Sequence, residues 1–338
     1  MDIDVDGVPQ QVSTGTLPGW DRVEDLVREA HQRYAPHTGG EVADYIPVLA
    51  AVDSDLFGVC VAKVDGGVHP VGDAQVPFSI QSISKAFVYA LVCEAFGHEE
   101  VLDRVGVNNT GLAFNSVMAV ELNGGHPRNP MVNAGAIATT AMMPGEGPEQ
   151  QWQQIQSGLS AFAGRPLELD EDVYRSEAAT NLRNRAIGRL LQSYGRIAVD
   201  PLEVVDIYTR QCSLRVTARD LAVMGATLAD GGVNPVTGER VVSAQVCTDT
   251  LAVLASTGMY ENSGEWLFEI GLPAKSGVSG GIVAVAPGKG ALGVFSPRLD
   301  AAGNSVRGQR AAAHLSRSLG LNLFASAARD PERQEQDR

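Results

Sequence analysis

The chain has 338 residues, of which 44% are hydrophobic and 20% charged, and it carries a formal net charge of −14. This length can bury a substantial core and predicts one large domain or two subdomains folded together. The acidic balance argues against a nucleic-acid partner, because affinity for a polyanion comes mainly from Lys and Arg. A membrane partner is not expected either, since no uncharged apolar run approaches the ~20 residues that span a bilayer.

The N-terminal segment 1–17 has no apolar periodicity and is expected to be flexible. It also has no basic region followed by an apolar stretch, so no secretion signal is recognised. The expected location is therefore the cytoplasm.

Cysteine and histidine spacing argues against disulfides and against a local metal motif. Cys60, Cys93, Cys212 and Cys247 are far apart, and the six histidines show no HxH or HExxH pattern. Isolated cysteines in apolar surroundings are typical of reduced core thiols. A disulfide or a zinc site is therefore not expected.

The pattern predicts a helix and a hairpin near each end of the chain, with a long helical segment between them. A first helix has Trp20, Val23, Leu26, Val27, Ala30 and Tyr34 on one face, and a hairpin follows around residues 65–67. Helices and loops fill about 100–265, including a helix from Thr217 with a capping box to Asp220. A second hairpin pairs 282–286 with 291–295, a last helix covers about 305–319, and the charged tail 326–338 is expected to be disordered.

This order of elements predicts a mixed α/β fold of the α+β type. An antiparallel sheet would take its strands from both chain ends, with flanking helices and a helical subdomain beside it. One main domain would cover 18–325, with a sheet part at about 18–80 and 266–325 and a helical insert at about 81–265.

Lys85 is the only charged residue in the apolar stretch from Ser79 to Cys93. Burying an ammonium is costly unless it is paired or neutral. Ser82 precedes it by three residues, so the two side chains share one helix face, and a desolvated lysine can activate a serine hydroxyl. The alternative is a serine N-cap followed by a lysine that reaches water.

The second chemical motif is Lys275-Ser276-Gly277, directly before the late hairpin. In acyl-serine enzymes with an S-x-x-K motif, a K-[ST]-G strand lines the site opposite the nucleophile. The order of the two motifs around a helical insert fits that architecture.

Seven segments together resemble the glutaminase family of serine-dependent amidohydrolases, over about Pro18 to Leu323. They are ADYIPVLA (43–50), QSISK (81–85), NPMVNAGAI (129–137), SEAATNLRNRAIG (176–188), GGVNPVTGERV (231–241), GMY (258–260) and GLPAKSGVSGGI (271–282). The resemblance implies a β-lactamase/transpeptidase-like fold. It also implies hydrolysis of L-glutamine to L-glutamate and ammonia without a cofactor, and a homo-oligomer, a dimer or tetramer.

The resemblance also assigns roles to individual residues. Ser82 would attack the side-chain amide, Lys85 and Tyr260 would serve as base and proton shuttle, and the amides of Ser82 and Val278 would hold the oxyanion. Lys275 and Ser276 would support the site. The amino-acid end of the substrate would contact Tyr45, Asn133, Glu177, Asn184 and Tyr208. Arg185 departs from the apolar or aromatic residue expected after Asn184.

Two other functions remain open on the sequence. One is a β-lactamase or D,D-peptidase on the same fold, although its S-D-N or Y-x-N element is missing between the two lysine motifs. The other is a catalytically silent binding or sensing module that retains the pocket. Intact Ser82, Lys85, Tyr260 and Glu177 favour the enzyme.

Overall fold

The structure is a computed structural model that describes residues 7–9, 11, 17–44 and 46–326. Its α-helices are α1 Trp20–Tyr34, α2 Pro47–Ala50, α3 Ser84–Phe96, α4 His98–Arg104, α5 Met118–Glu121, α6 Asn133–Ala141, α7 Pro148–Ala163, α8 Glu171–Thr180, α9 Leu182–Ser193, α10 Pro201–Cys212, α11 Ala218–Ala229, α12 Ala244–Thr257, α13 Ser263–Glu269 and α14 Val306–Ser318. Its strands are β1 Gly58–Lys63, β2 Val68–Gly72, β3 Phe78–Ser79, β4 Arg215–Val216, β5 Ala274–Ser276, β6 Gly281–Ala286 and β7 Gly290–Phe295.

A five-stranded antiparallel sheet in the order β2-β1-β7-β6-β5 joins the two ends of the chain. Both predicted hairpins are confirmed, as β1–β2 and β6–β7, and β1 pairs with β7 from Gly58 opposite Phe295 to Lys63 opposite Gly290. The predicted first and last helices are confirmed as α1 and α14. The fold class is therefore the one that the sequence predicts.

Alternating side chains of the sheet serve two separate cores, as the period of two in a strand requires. On one face, Val59, Val61, Leu292 and Val294 pack with α1 and α14. On the other, Cys60, Ala62, Ala291 and Phe295 join a larger core with α3, α7, α11 and α12. The sheet is thus covered by helices on both sides.

Helix α11 lies within the predicted helical insert but packs directly on the sheet against β7, β1 and β6. Its start is fixed by the predicted capping box between Thr217 and Asp220, which is confirmed. Gly293 of β7 permits the close approach, because a Cβ there would lie 2.0 Å from the carbonyl oxygen of Ala218. The packing of α11 on the sheet depends on contacts between distant segments, which a local sequence pattern does not reveal.

A short ribbon of β3 and β4 is a second feature that the sequence reading missed, since it assigned only helices and loops to 100–265. Two residues a strand are too few to show an alternating pattern. The ribbon pairs Phe78 with Val216, and the amide of Ile80 continues it by donating to the Leu214 carbonyl. It therefore ties the segment before Ser82 to the helical part of the molecule.

The predictions of a flexible segment at 1–17 and a disordered tail at 326–338 fall mostly outside the described residues. Within the first segment, Val8 is buried and the amide of Gln11 donates to the carbonyl of Arg317. In the described part of the chain, no helix has the length and apolar character to cross a membrane.

Candidate active site

Ser82 lies in a 3₁₀ turn, Gln81–Ile83, that leads into α3. Gln81 has a φ of 49°, a left-handed conformation that is costly for a residue with a side chain. Such conformations persist only where the surroundings impose them, and they cluster at functional sites. The turn places Ser82, which is 7% exposed, in the wall of a cavity.

Lys85 is 1% exposed, and its ammonium nitrogen makes hydrogen bonds across the site. Nζ donates to Asn133 Oδ1 at 2.7 Å and to the Met131 carbonyl at 3.2 Å. Burial lowers the pKa of Lys85 to about 8, although Cys212 and Glu177 oppose the shift. A lysine with this pKa is partly neutral near physiological pH and has a lone pair for proton transfer.

Sequence reasoning placed Lys85 beside Ser82 but missed the hydrogen-bond partners of the lysine. Among the described residues, the hydrogen bonds of Lys85 Nζ go to the start of α6 and not to Ser82. The side-chain oxygen of Asn133 and the carbonyl of Met131 together satisfy the buried cation. A long-range partner of this kind leaves no signal in the spacing S-x-x-K.

Tyr260 and Lys275 meet at one backbone carbonyl beside the cavity. Tyr260 OH donates to the Ser276 carbonyl at 3.1 Å, and Lys275 Nζ donates to the same oxygen at 2.7 Å. Lys275 Nζ also lies 4.3 Å from the centroid of the Tyr260 ring. Burial, and then the charge of Lys85, hold the pKa of Lys275 well below its usual range. Two buried lysines therefore share one site, and burial favours the neutral form of both.

The turn after β5 brings a second free amide close to the serine turn. A Cβ at Gly277 would lie 3.0 Å from the carbonyl oxygen of Ile80, so the two turns touch. Within the described residues, neither the amide of Ser82 nor that of Val278 donates a hydrogen bond to the protein. Ser276 Oγ is also buried without a hydrogen-bond partner among those residues.

A cavity of about 350 Å³ opens in front of Ser82 and is of a size that suits a small ligand. Its described lining residues are Ile46, Gln81, Ser82, Phe114, Asn115, Asn133, Glu177, Thr180, Asn181, Arg183, Asn184, Tyr208 and Val278. The predicted residues Asn133, Glu177, Asn184, Tyr208 and Val278 are thus brought together with Ser82. Tyr45 lies outside the described residues.

Glu177 is the buried carboxylate of this cavity. It is 9% exposed, and Gln81 Nε2 donates to its Oε2 at 3.4 Å. Burial raises the pKa of Glu177 to about 7, while the bond from Gln81 and the charge of Lys85 act in the opposite direction. A carboxyl in this state gains most from a cationic ligand, which would favour its ionised form.

Asn133 links the lysine to the opposite wall. Its Nδ2 donates to Asn184 Oδ1 at 2.9 Å, and Tyr208 OH donates to its Oδ1 at 3.4 Å. Burial raises the pKa of Tyr208 well above its usual range, which keeps this phenol a hydrogen-bond donor. Asn133 is therefore an organising residue of the site.

Arg185, the departure noted in the sequence, holds the corner between α8 and α9. Its Nε donates to Asn181 Oδ1 at 2.8 Å, and its Nη2 donates to the Ala178 carbonyl at 3.1 Å. The expected apolar contact is replaced by two hydrogen bonds, of which the one to Oδ1 holds Asn181 in the cavity wall. Among the described residues, no three His, Cys, Asp or Glu side chains come together as a metal site requires.

Comparison with known proteins identifies the family. The family model "Glutaminase" matches residues 40–324. The chain is 55% identical to "Glutaminase 2" of Yersinia pestis over 320 residues, which cover 95% of this chain and 94% of that protein. It is 53% identical to a glutaminase of Mycobacterium ulcerans over 303 residues, covering 90% and 95% of the two chains.

A solved structure of a probable glutaminase superposes with a TM-score of 0.90 at 45% identity, covering 91% of this chain and 100% of that chain. Fold and sequence thus agree over most of the molecule. The chain belongs to the glutaminase family, whose members hydrolyse L-glutamine to L-glutamate.

Proposed function

We propose that Ser82 is the nucleophile of this glutaminase and that the reaction passes through a glutamyl ester on its Oγ. The observation that carries the proposal is the serine in the cavity wall, one turn before a buried lysine whose pKa is about 8. Oγ attacks the carbonyl carbon of the side-chain amide, and the C–N bond breaks as ammonia leaves. Water then attacks the ester, releases glutamate and returns the proton to Oγ.

Lys85 in its neutral form accepts the proton of the Ser82 hydroxyl, directly or through Tyr260. The phenol of Tyr260 is held by the Ser276 carbonyl and by the Lys275 amine over its ring, so it has a fixed orientation at the edge of the site. The same group that accepts the proton delivers it to the departing nitrogen. Because Lys85 and Tyr260 act together, their titration belongs to the pair.

The tetrahedral intermediate carries a negative oxygen, and the free amides of Ser82 and Val278 are its proposed donors. Both amides lack protein partners among the described residues, so they can bind this oxygen without breaking an existing hydrogen bond. Losing one such donor typically costs ~10²–10³ in rate.

Glu177 binds the α-ammonium of glutamine, and Asn133, Asn184 and Tyr208 surround the amino-acid end. Tyr45, which lies outside the described residues, is proposed as a further contact on the resemblance to the family alone. The raised pKa of Glu177 supports this role, because a buried carboxyl of this kind requires a cation to be fully ionised. Binding of the α-ammonium at Glu177 sets how far the side-chain amide of the substrate can reach towards Ser82. Asparagine, which is one methylene shorter, is expected to be a poorer substrate by about 10–200-fold.

We also propose a homo-oligomer in the cytoplasm, following the resemblance to the family. The location is supported by the four cysteines, which are all free and buried, as is usual in a reducing compartment.

The test is release of ammonia and glutamate from L-glutamine by the purified protein, with asparagine as the second substrate. Ser82→Ala is expected to abolish both products, and Ser193→Ala is the control serine variant, since Ser193 is exposed and is not among the described lining residues of the cavity. Turnover by Ser82→Ala near the rate of the wild-type protein would refute the proposed nucleophile.

A further inference from the structure

The cavity in front of Ser82 has one negative and one positive side chain in its described wall. These are Glu177 on α8 and Arg183 at the second position of α9, while the other described lining residues are neutral. Lys85 and Lys275 are not part of the cavity surface. The wall thus has one charge of each sign, as the amino-acid end of glutamine does.

The neutral side chains of the wall offer the α-carboxylate of glutamine only uncharged donors, and part of Asn133 is already committed. A carboxylate has about four acceptor positions. Asn133 Oδ1 already accepts from Lys85 and Tyr208, and one N–H of Asn133 is used by Asn184 Oδ1. What remains from this pair is the second N–H of Asn133 and the amide nitrogen of Asn184. With the side-chain amide of Asn115 these are neutral donors, and a cation would add the stronger, charge-assisted hydrogen bonds that an anion favours.

Arg183 is placed to supply that donor. Its side chain is exposed at the cavity mouth, and no hydrogen bond or ion pair joins it to another described residue. Its backbone is nevertheless held at the start of α9, because Arg185 bonds to Asn181 at the α8–α9 corner and to the Ala178 carbonyl in α8. A rigid backbone with an uncommitted guanidinium suits bidentate binding of a carboxylate that enters from solvent.

We propose that Arg183 binds the α-carboxylate of the substrate and selects free amino acids over amides with a blocked α-carboxyl group. The proposal rests on the proposed function, in which Glu177 takes the α-ammonium. Glu177 deep in the wall and Arg183 at the mouth then hold the two charged groups of the zwitterion and direct the side-chain amide towards Ser82.

The experiment compares Arg183→Gln with Arg189→Gln on two substrates, L-glutamine and its α-carboxamide, L-glutaminamide. Arg189 is a matched control, because it lies on the same helix, is exposed, has no described partner and does not line the cavity. Arg183→Gln is expected to raise KM for L-glutamine about three- to tenfold, as for a charged hydrogen bond that is partly exposed to solvent. The neutral α-carboxamide should lose less than twofold, and Arg189→Gln should leave both substrates unchanged.

Salt gives a second readout that a purely structural role would not move. Screening weakens exposed charge pairs, so the ratio of KM between Arg183→Gln and the wild-type protein should shrink towards one as NaCl is raised to about 1 M. Arg183→Lys, which keeps the charge, should recover most of the loss.

Equal losses on both substrates, or a KM for L-glutamine unchanged from that of Arg189→Gln, would overturn the role of Arg183. The comparison uses ratios for each substrate, so it does not depend on which group is the nucleophile. Retained turnover by Ser82→Ala would instead contradict the proposed mechanism and leave the assignment of Arg183 standing.

Discussion

Two buried groups must each lose a proton before the enzyme can act. Replacing Glu177 with glutamine removes one of these two ionisations and so tests the electrostatics of the site. Glu177 must be ionised to bind the α-ammonium, and Lys85 must be neutral to accept the serine proton. Their pKa values are about 7 and about 8. Protonation of either group removes activity, so activity falls as the pH is lowered. Two ionisations therefore shape the acidic side of the pH profile.

The size of the effect follows from these values. At pH 6 about one-eleventh of Glu177 is ionised and about 1% of Lys85 is neutral, whereas at pH 8 the fractions are about nine-tenths and one-half. The product rises about 500-fold between pH 6 and pH 8. In Glu177→Gln only Lys85 titrates, so the rise is at most about 50-fold. It becomes smaller still if loss of the Glu177 charge lets the pKa of Lys85 fall further.

The assay is kcat/KM for L-glutamine at half-unit steps from pH 6 to pH 8, since this parameter reports groups of the free enzyme. Titration of the substrate cancels when the two profiles are divided. The wild-type profile divided by the Glu177→Gln profile should show a single ionisation near pH 7. Parallel profiles for Glu177→Gln and the wild-type protein would refute the assignment of Glu177 as the titrating ligand of the α-ammonium.

Three further changes have defined outcomes. Lys85→Ala should leave a folded protein with less than about 1% of the activity, because the base is lost; near-normal kcat would refute the role of the lysine. Lys275→Met should raise Tm, because burial of the amine disfavours the charged form that it has in the unfolded chain below its usual pKa of 10.5. The gain should be larger at pH 7 than near pH 10, and a constant gain would contradict this origin. Gly293→Val should cost more than about 2 kcal/mol of unfolding free energy in denaturant titration, because α11 would be forced off β7; an unchanged midpoint would show that the contact yields easily.

Local patterns were sufficient for the elements that depend on nearby residues. The amphipathic α1, the capping box at Thr217 and the late hairpin each follow from short-range spacing, and all three are confirmed. The isolated charge of Lys85 in an apolar helix likewise marked the chemistry, because few other reasons justify a buried ammonium.

Long-range contacts decide the remaining features, and the sequence pattern does not reveal them. The bond from Lys85 to Asn133 joins residues 48 positions apart. The left-handed conformation of Gln81 is imposed by its surroundings. Phe114 and Arg183 were not assigned to the site, because a lone aromatic and a lone surface cation have many unremarkable explanations. Only the folded chain shows that they line the same cavity.

Interception of the ester intermediate by hydroxylamine tests the central claim most directly. If glutamine is hydrolysed through a glutamyl ester on Ser82, hydroxylamine should compete with water and give γ-glutamyl hydroxamate. Glutamate should fall in proportion, ammonia release should not decline, and Ser82→Ala should form neither product. Glutamate as the sole acyl product at high hydroxylamine, or hydroxamate formed equally well by Ser82→Ala, would contradict the account.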